Sequence, residues 1–133
     1  MTTKTERAQQ ANKFLASVAG CGRKFFAYKE RVSRFEVDAR GRIWFVDAYR
    51  EAKIYTAYEW GRWRGFSEGG TLRALVLKLR DFIRTGEPRE MGLGPWPAWV
   101  CNGDPWGYGG DMEKVRQAAE AAGIVPSSNA VLR

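Results

Sequence analysis

Residues 34–46 read RFEVDARGRIWFV, and their spacing decides the fold. Phe35 and Val37 alternate with Arg34, Glu36 and Asp38, and then Ile43 and Phe45 alternate with Arg42, Trp44 and Val46. A period of two sends successive side chains to opposite faces of an extended chain, so each run predicts a strand with one apolar side. Between them, Asp38-Ala39-Arg40-Gly41 suits a tight hairpin, with aspartate opening a type I turn and glycine taking the left-handed position that follows. The two strands are therefore antiparallel neighbours in a well-set register.

A second turn near Tyr49 to Ala52 is followed by Lys53–Tyr58 and Gly61–Phe66, which extend residues 23–66 into an antiparallel meander of three to five strands, with Gly61 marking a bulge. Upstream, in segment 1–22, Ala8, Ala11, Leu15 and Val18 recur at steps of three and four, with Phe14 beside them, until Gly20 and Gly22 end the helix. Downstream, Ser67-Glu68-Gly69-Gly70 breaks the strand pattern. Thr71 caps a helix over 71–85 that Gly86 and Pro88 stop. Leu72, Leu75, Val76, Leu79, Phe82 and Ile83 share its apolar face, and Arg73, Arg80 and Arg84 lie on one flank as a basic stripe. Residues 87–110 show neither period and are dense in Trp, Pro and Gly. Residues 111–123 read as a last helix, capped by Asp111 and stopped by Gly123, and 126–133 as a frayed tail. The expected fold is α+β, one domain over 1–133, with the meander covered by an N-terminal helix and the central amphipathic helix, and with a C-terminal helix.

Histidine is absent, which removes the commonest general base and transition-metal ligand, so Ser–His triads and histidine-bearing zinc sites are excluded. Cys21 and Cys101 form no CxxC pair and read as buried free thiols. No cofactor or metal is expected. The apolar stretches are too short to span a membrane. The first twenty residues interleave charged and amide residues where a secretion signal needs a continuous apolar run, which predicts a cytoplasmic protein.

The net charge is +7, and it is concentrated: from Arg23 to Arg84 fifteen Lys/Arg face eight Asp/Glu, whereas the segment after Arg84 is acidic. A polyanionic partner is the corresponding expectation. Arginine also interleaves with aromatics, most densely in Trp60-Gly61-Arg62-Trp63-Arg64-Gly65-Phe66. Arginine neutralises phosphate while an aromatic ring stacks on a base. Strand alternation would expose Arg62 and Arg64 and bury Trp63; it also puts Trp44 on the side of Arg42, and Tyr55 on the side of Lys53. The candidate binding residues are thus Arg34, Arg42, Trp44, Lys53, Tyr55, Arg62, Arg64, Arg73, Arg80 and Arg84. The competing reading is a solvated basic face over an aromatic core, with Trp44 and Tyr55 packed inside.

Three further patterns have both a chemical and a local reading. Gly69-Gly70-Thr71 could present backbone N–H groups to a phosphate, but without the lysine and spacing of a P-loop it reads as an ordinary helix start. Asp38 followed by Glu51-Ala52-Lys53 imitates the D…ExK of metal-dependent nucleases, whose chemistry needs two carboxylates around Mg²⁺ and a lysine on the attacking water. Both acids fall at predicted turns, where they are favoured for local reasons, so a non-catalytic protein is the expectation and a divergent nuclease the alternative. Trp96, Trp99, Trp106 and Tyr108 read as a second small core, because exposing all four would leave a costly apolar patch; exposed, they would be a protein-contact surface.

The stretches RGRIWFVDAY, KIYTAY, GRWRGFSEGGTLRALV and LRDFI, with DPWGYGG at Asp104 to Gly110, resemble small proteins carried by phages, plasmids and integrative elements of proteobacteria. That resemblance implies an accessory or counter-defence role, such as an anti-CRISPR protein that inhibits a CRISPR-type effector. Joined to the charge and the arginine–aromatic strands, it predicts binding to a nucleic acid or a protein–nucleic acid complex, with a direct DNA- or RNA-binding accessory protein as the alternative.

Overall fold

A computed structural model of the chain describes residues 2–20, 24–57, 63–68, 70–87 and 117–124. In chain order its elements are α1 (Lys4–Ala19), β1 (Ala27–Tyr28), β2 (Arg31–Val32), β3 (Arg34–Val37), β4 (Ile43–Val46), β5 (Lys53–Tyr55) and α2 (Gly70–Thr85), and residues 117–121 are again helical. The fold is α+β, as the two periods predict.

The hairpin closes as its sequence requires. Gly41 sits at φ +80° and its N–H donates to the Asp38 carbonyl at 2.9 Å, while the Asp38 N–H donates to Arg42 at 3.0 Å. The register that follows sets Phe35 opposite Phe45 and Glu36 opposite Trp44; β5 then pairs antiparallel with β4, Tyr55 opposite Trp44 and Ile54 opposite Phe45. The meander has the order β3-β4-β5, and β1 and β2 form a separate two-stranded hairpin.

Two expectations for the sheet are corrected. β5 ends at Tyr55, not Tyr58, and the described part of Gly61–Phe66 is a turn in which the Phe66 N–H donates to the Trp63 carbonyl at 3.1 Å. The reason is a close approach. Gly65 lies at φ +90°, and a Cβ there would fall 2.5 Å from the Ala52 Cβ, so the chain bends against the β4–β5 turn and cannot run on as a strand. Trp63 is buried, as predicted.

The inward residues Phe35, Ile43, Phe45 and Ile54 meet the apolar stripes of both helices. Phe45 is central: its ring lies edge-on to Phe35 at 5.4 Å and Phe26 at 6.1 Å, and tilted to Phe66 at 5.7 Å. α1 contributes Ala8, Ala11, Phe14, Leu15 and Val18, and α2 all six residues of its predicted face. A capping box of Thr3 and Glu6 starts α1. Asn12 on α1 accepts from the Phe35 N–H at 2.6 Å and donates to the Phe35 carbonyl at 3.1 Å. Those outward groups of β3 are thereby occupied, which blunts the sheet edge.

Arg7 is a structural cation that the pattern of α1 does not announce. It is 8 % exposed, and its Nε donates 2.8 Å to the carbonyl of Ile83, one of the last-turn carbonyls of α2 that lack an intrahelical partner. Its guanidinium also holds Thr2 and packs against Gly86, whose φ of +81° closes α2. α2 starts at Gly70, so Thr71 lies within its first turn and not at its cap. The helical residues 117–121 fall inside the predicted last helix, with Gly123 at φ +76° as its stop and Ala119 and Ile124 buried in the core. Among the described residues no helix is long and apolar enough to cross a membrane. Cys21, Gly61, Cys101, the four aromatics of the 87–110 segment and the 126–133 tail lie outside the described residues.

Removing the Arg7 guanidinium leaves the Ile83 carbonyl buried without its donor. Arg7→Ala is expected to lower unfolding free energy in urea by about 2–4 kcal/mol, and Arg34→Ala, at an exposed ion pair, by less than about 1 kcal/mol.

Candidate functional site

Because Phe45 points inward, its neighbours on β4 point out, and the register gathers one open face from three strands. Arg34 and Glu36 come from β3, Trp44 from β4, and Lys53 and Tyr55 from β5, with Asp38 and Arg42 at the hairpin end. Trp44 and Tyr55 are half-buried and stack with ring centroids 5.0 Å apart and planes tilted by 34°. They belong to this outer face, not to the core beneath it. The Arg42 guanidinium lies 5.7 Å and the Lys53 ammonium 5.1 Å from the Trp44 ring centroid. The indole is further oriented by its N–H, which donates to Asp38 Oδ2 at 3.0 Å.

Carboxylates temper the expected field. Glu36 sits between Arg34, at 2.8 Å, and Lys53, at 3.5 Å; Asp38 holds Arg42 through Nε at 2.7 Å; Arg31 pairs with Glu51 at 2.8 Å. Hydrogen bonds from the Trp44 indole, and then from the backbone and guanidinium of Arg42 and the backbone of Arg40, hold the Asp38 carboxyl well below the usual carboxylate range.

The basic stripe on α2 divides. Arg80 is 6 % exposed, donating to the Thr56 carbonyl at 2.7 Å and to Asp81 at 2.7 and 3.2 Å, so it closes the end of β5 against the helix and is not free to contact a partner. Arg73 is half-buried over the ring of buried Trp63, at 5.3 Å. Arg84 alone of the three is well exposed, pairing with Asp81 through one nitrogen at 3.1 Å. Arg64 is exposed in the 63–66 turn, apart from the strand face, and Arg62 lies outside the described residues. Of the ten candidates, the open sheet face therefore unites Arg34, Arg42, Trp44, Lys53 and Tyr55.

One grouping has no signal in the sequence. At the hairpin end of the face, a cleft of about 360 Å³ is lined by Lys4, Gly41, Arg42, Tyr55, Arg80 and Arg84, among others, and among the described residues lining it none is acidic. Lys4 opens α1, yet its ammonium donates to the Gly41 carbonyl at 3.2 Å. A second cleft, of about 370 Å³, lies at the opposite end, between Tyr28, Tyr49, Arg50 and Glu68. There Asp47 is fully buried and accepts from the backbone of Tyr49, Arg50 and Ser67 and from the Ser67 hydroxyl. Glu68 accepts from the Phe26 N–H at 3.0 Å, and burial, with the charge of Asp47, pushes its carboxyl up.

Asp38 and Glu51 occupy the turns at opposite ends of β4, roughly 13 Å or more apart at about 3.3 Å per strand residue. The pair does not converge on one metal position, and among the described residues no three His, Cys, Asp or Glu side chains do so either.

The model of the YoqU family matches residues 2–133. The chain belongs to the YoqU family. That match takes in α1, the sheet and α2, so the open face and both clefts lie within the YoqU region. No curated protein and no solved structure matches the chain.

Two carboxyls of this YoqU-family protein give opposite pH signatures. Asp38 has its folded pKa depressed, so its contribution is complete at neutral pH and declines as pH drops below about 4. The urea-midpoint gap between the protein and Asp38→Asn is expected to narrow on acidification in that range. Glu68 has its folded pKa raised, so its ionisation costs stability as pH rises through the folded value. Glu68→Gln, which keeps the acceptor for Phe26, should exceed the parent midpoint at pH 7 and match it below about pH 4.

Proposed function

We propose that this protein acts without catalysis, by binding a nucleic acid through the open face of its sheet, with the nucleic acid either bare or held in a protein–nucleic acid machine. The observation that supports this most is the stacked Trp44–Tyr55 pair on the same face as Arg34, Arg42 and Lys53. Single strands are gripped by that combination, in which cations take phosphates and ring faces take bases with little regard to sequence. Cation–π contacts hold Arg42 and Lys53 beside the indole before any partner arrives, which reduces the side-chain ordering that binding requires. The surrounding carboxylates make the basic face narrower than a net charge of +7 suggests, so the salt dependence of contact is set by the few cations of this face and not by the whole net charge.

The resemblance to mobile-element proteins gives this reading its sharpest form, an inhibitor of a CRISPR-type effector working in the cytoplasm. A basic face suits the groove that holds guide or target, whereas a protein that imitates DNA must be acidic. A direct DNA- or RNA-binding accessory protein would use the same residues on free nucleic acid. Recovery of partners from a host lysate with and without nuclease separates the two: an effector complex retained after nuclease supports inhibition, and bulk nucleic acid lost on nuclease supports direct binding.

Fluorescence titration of an oligothymidylate is expected to show affinity falling steeply between 50 and 200 mM salt, as on the order of several phosphate contacts require. Lys53→Gln should reduce the log–log salt slope by about 1, and Trp44→Leu should weaken binding roughly tenfold at every salt concentration through lost stacking. Absence of binding to any oligonucleotide at low salt would refute the reading.

A further inference from the structure

We infer that the cleft at the hairpin end of the sheet is a phosphate site, one that anchors the phosphate of a nucleic acid lying on the open face; as to its natural ligand, this rests on the function proposed above. Three elements distant in sequence build it: the start of α1 supplies Lys4, the β3–β4 hairpin Arg42, and the end of α2 Arg80 and Arg84. Four cations thus border a space of about 360 Å³, large enough for a phosphate and its first bridging waters. Arg80 is committed to Thr56 and Asp81, but the two carboxylates beside the cleft leave most of the donor capacity of Lys4, Arg42 and Arg84 unused. Asp38 engages Arg42 only through Nε, and Asp81 engages Arg84 only through one terminal nitrogen. Among the described residues both terminal nitrogens of Arg42, the Nε and remaining terminal nitrogen of Arg84, and two of the three Lys4 protons make no hydrogen bond.

The donors are also held in place. Lys4 is fixed to the Gly41 carbonyl, Arg42 is held by Asp38 and lies over Trp44, and Arg80 is buried in the wall against Thr56 and Asp81. Arginine forks with free N–H pairs match the oxygens of a phosphate, and a lysine adds a point charge. Lys4 moreover lies in the first turn of α1, whose dipole favours an anion. Tyr55 lines both the cleft and the aromatic pair, so a phosphate in the cleft is next to a base on the face. A terminal phosphate carries more charge than an internal phosphodiester and is the better match to this many donors.

The test compares a 5′-phosphorylated oligothymidylate, the same oligomer with a 5′-hydroxyl, and inorganic tripolyphosphate, on the full chain and on Lys4→Gln/Arg84→Gln. Both replaced side chains lie at the molecular surface, and unchanged thermal unfolding without ligand checks that the variant folds. The expected result is about tenfold tighter binding of the phosphorylated oligomer by the parent, no discrimination by the variant, and a rise in melting temperature with tripolyphosphate in the parent only. If both oligomers bind the parent equally and tripolyphosphate shifts nothing, the cleft proposal is overturned while binding through the sheet face stands. If tripolyphosphate stabilises the parent and not the variant but neither oligomer binds, the phosphate site is upheld and the nucleic-acid reading fails. Equal tripolyphosphate shifts in parent and variant would overturn the assignment to Lys4 and Arg84.

Discussion

The register of β4 is the constraint on which the rest depends. It is the central strand, so each of its residues is committed to one side: Phe45 is fully buried against three other rings, and Trp44 stands outside. A slip of one residue would exchange the two, leaving the core without its central ring and the outer face without its indole. Two devices prevent the slip. One is the apolar cost of exposing Phe45, and the other is the Asp38–Gly41 turn, whose aspartate accepts from the Arg40 and Arg42 N–H groups at 2.9 Å. The same carboxylate also holds the Trp44 N–H and the Arg42 guanidinium. Turn geometry and the shape of the outer face are therefore fixed by one side chain.

The sequence was legible wherever a local rule decided the outcome. Two-residue alternation assigned Phe35, Ile43 and Phe45 inward and put Trp44 with Arg42, and Tyr55 with Lys53, on the other side; helical spacing assigned the six buried apolar residues of α2, though not Leu77, which packs partly buried against the core. It was illegible where a distant segment decided. Arg80 stands on the same flank of α2 as Arg84, yet one ends buried on Thr56 and the other in solvent, because position around a helix says nothing about what lies above it. Alternation carried Gly61–Phe66 on as a strand, but the contact between Gly65 and Ala52 belongs to the turn across the way. Nothing in the spacing of α1 marks Arg7 as a cap for α2, and Lys4 meets Gly41 across thirty-seven residues of chain. An alternating pattern also sorts faces without sorting exposure, which is why Trp44 and Tyr55 fitted the core as well as the surface until the strands were paired.

The ion pairs on the open face bear on binding in two ways. They lower the long-range potential, since Glu36 is shared by Arg34 and Lys53 and Asp38 is held by Arg42. They also hold Arg42 and Lys53, which lie over the Trp44 ring, and because exposed pairs contribute little stability, replacing a carboxylate by a phosphate costs little. On the function proposed above, such a face discriminates against weak anions, because a ligand that offers several phosphates, or phosphate together with a stacking base, is needed to outcompete the internal acids. The selectivity that the proposal requires is then carried by the face as a whole and by no single residue on it.

The two ends of the sheet differ in the acids they hold. At the hairpin end the cleft is cationic, with Lys4, Arg42 and Arg84 converging beside Tyr55. At the other end a buried carboxylate, Asp47, organises the β4–β5 turn and the segment before α2, and Glu68 adds a second acid next to it. On the function proposed above, a phosphate is drawn toward the first end, where no acid lines the cleft among the described residues, whereas at the second end Arg50 and Glu68 line the cleft together. The asymmetry arises from folding requirements: aspartates satisfy the backbone donors of both turns, but the one at the hairpin end pairs with Arg42 while the one at the far end is buried beside another acid. The chemistry available to a partner is thus set by what each turn needed in order to close.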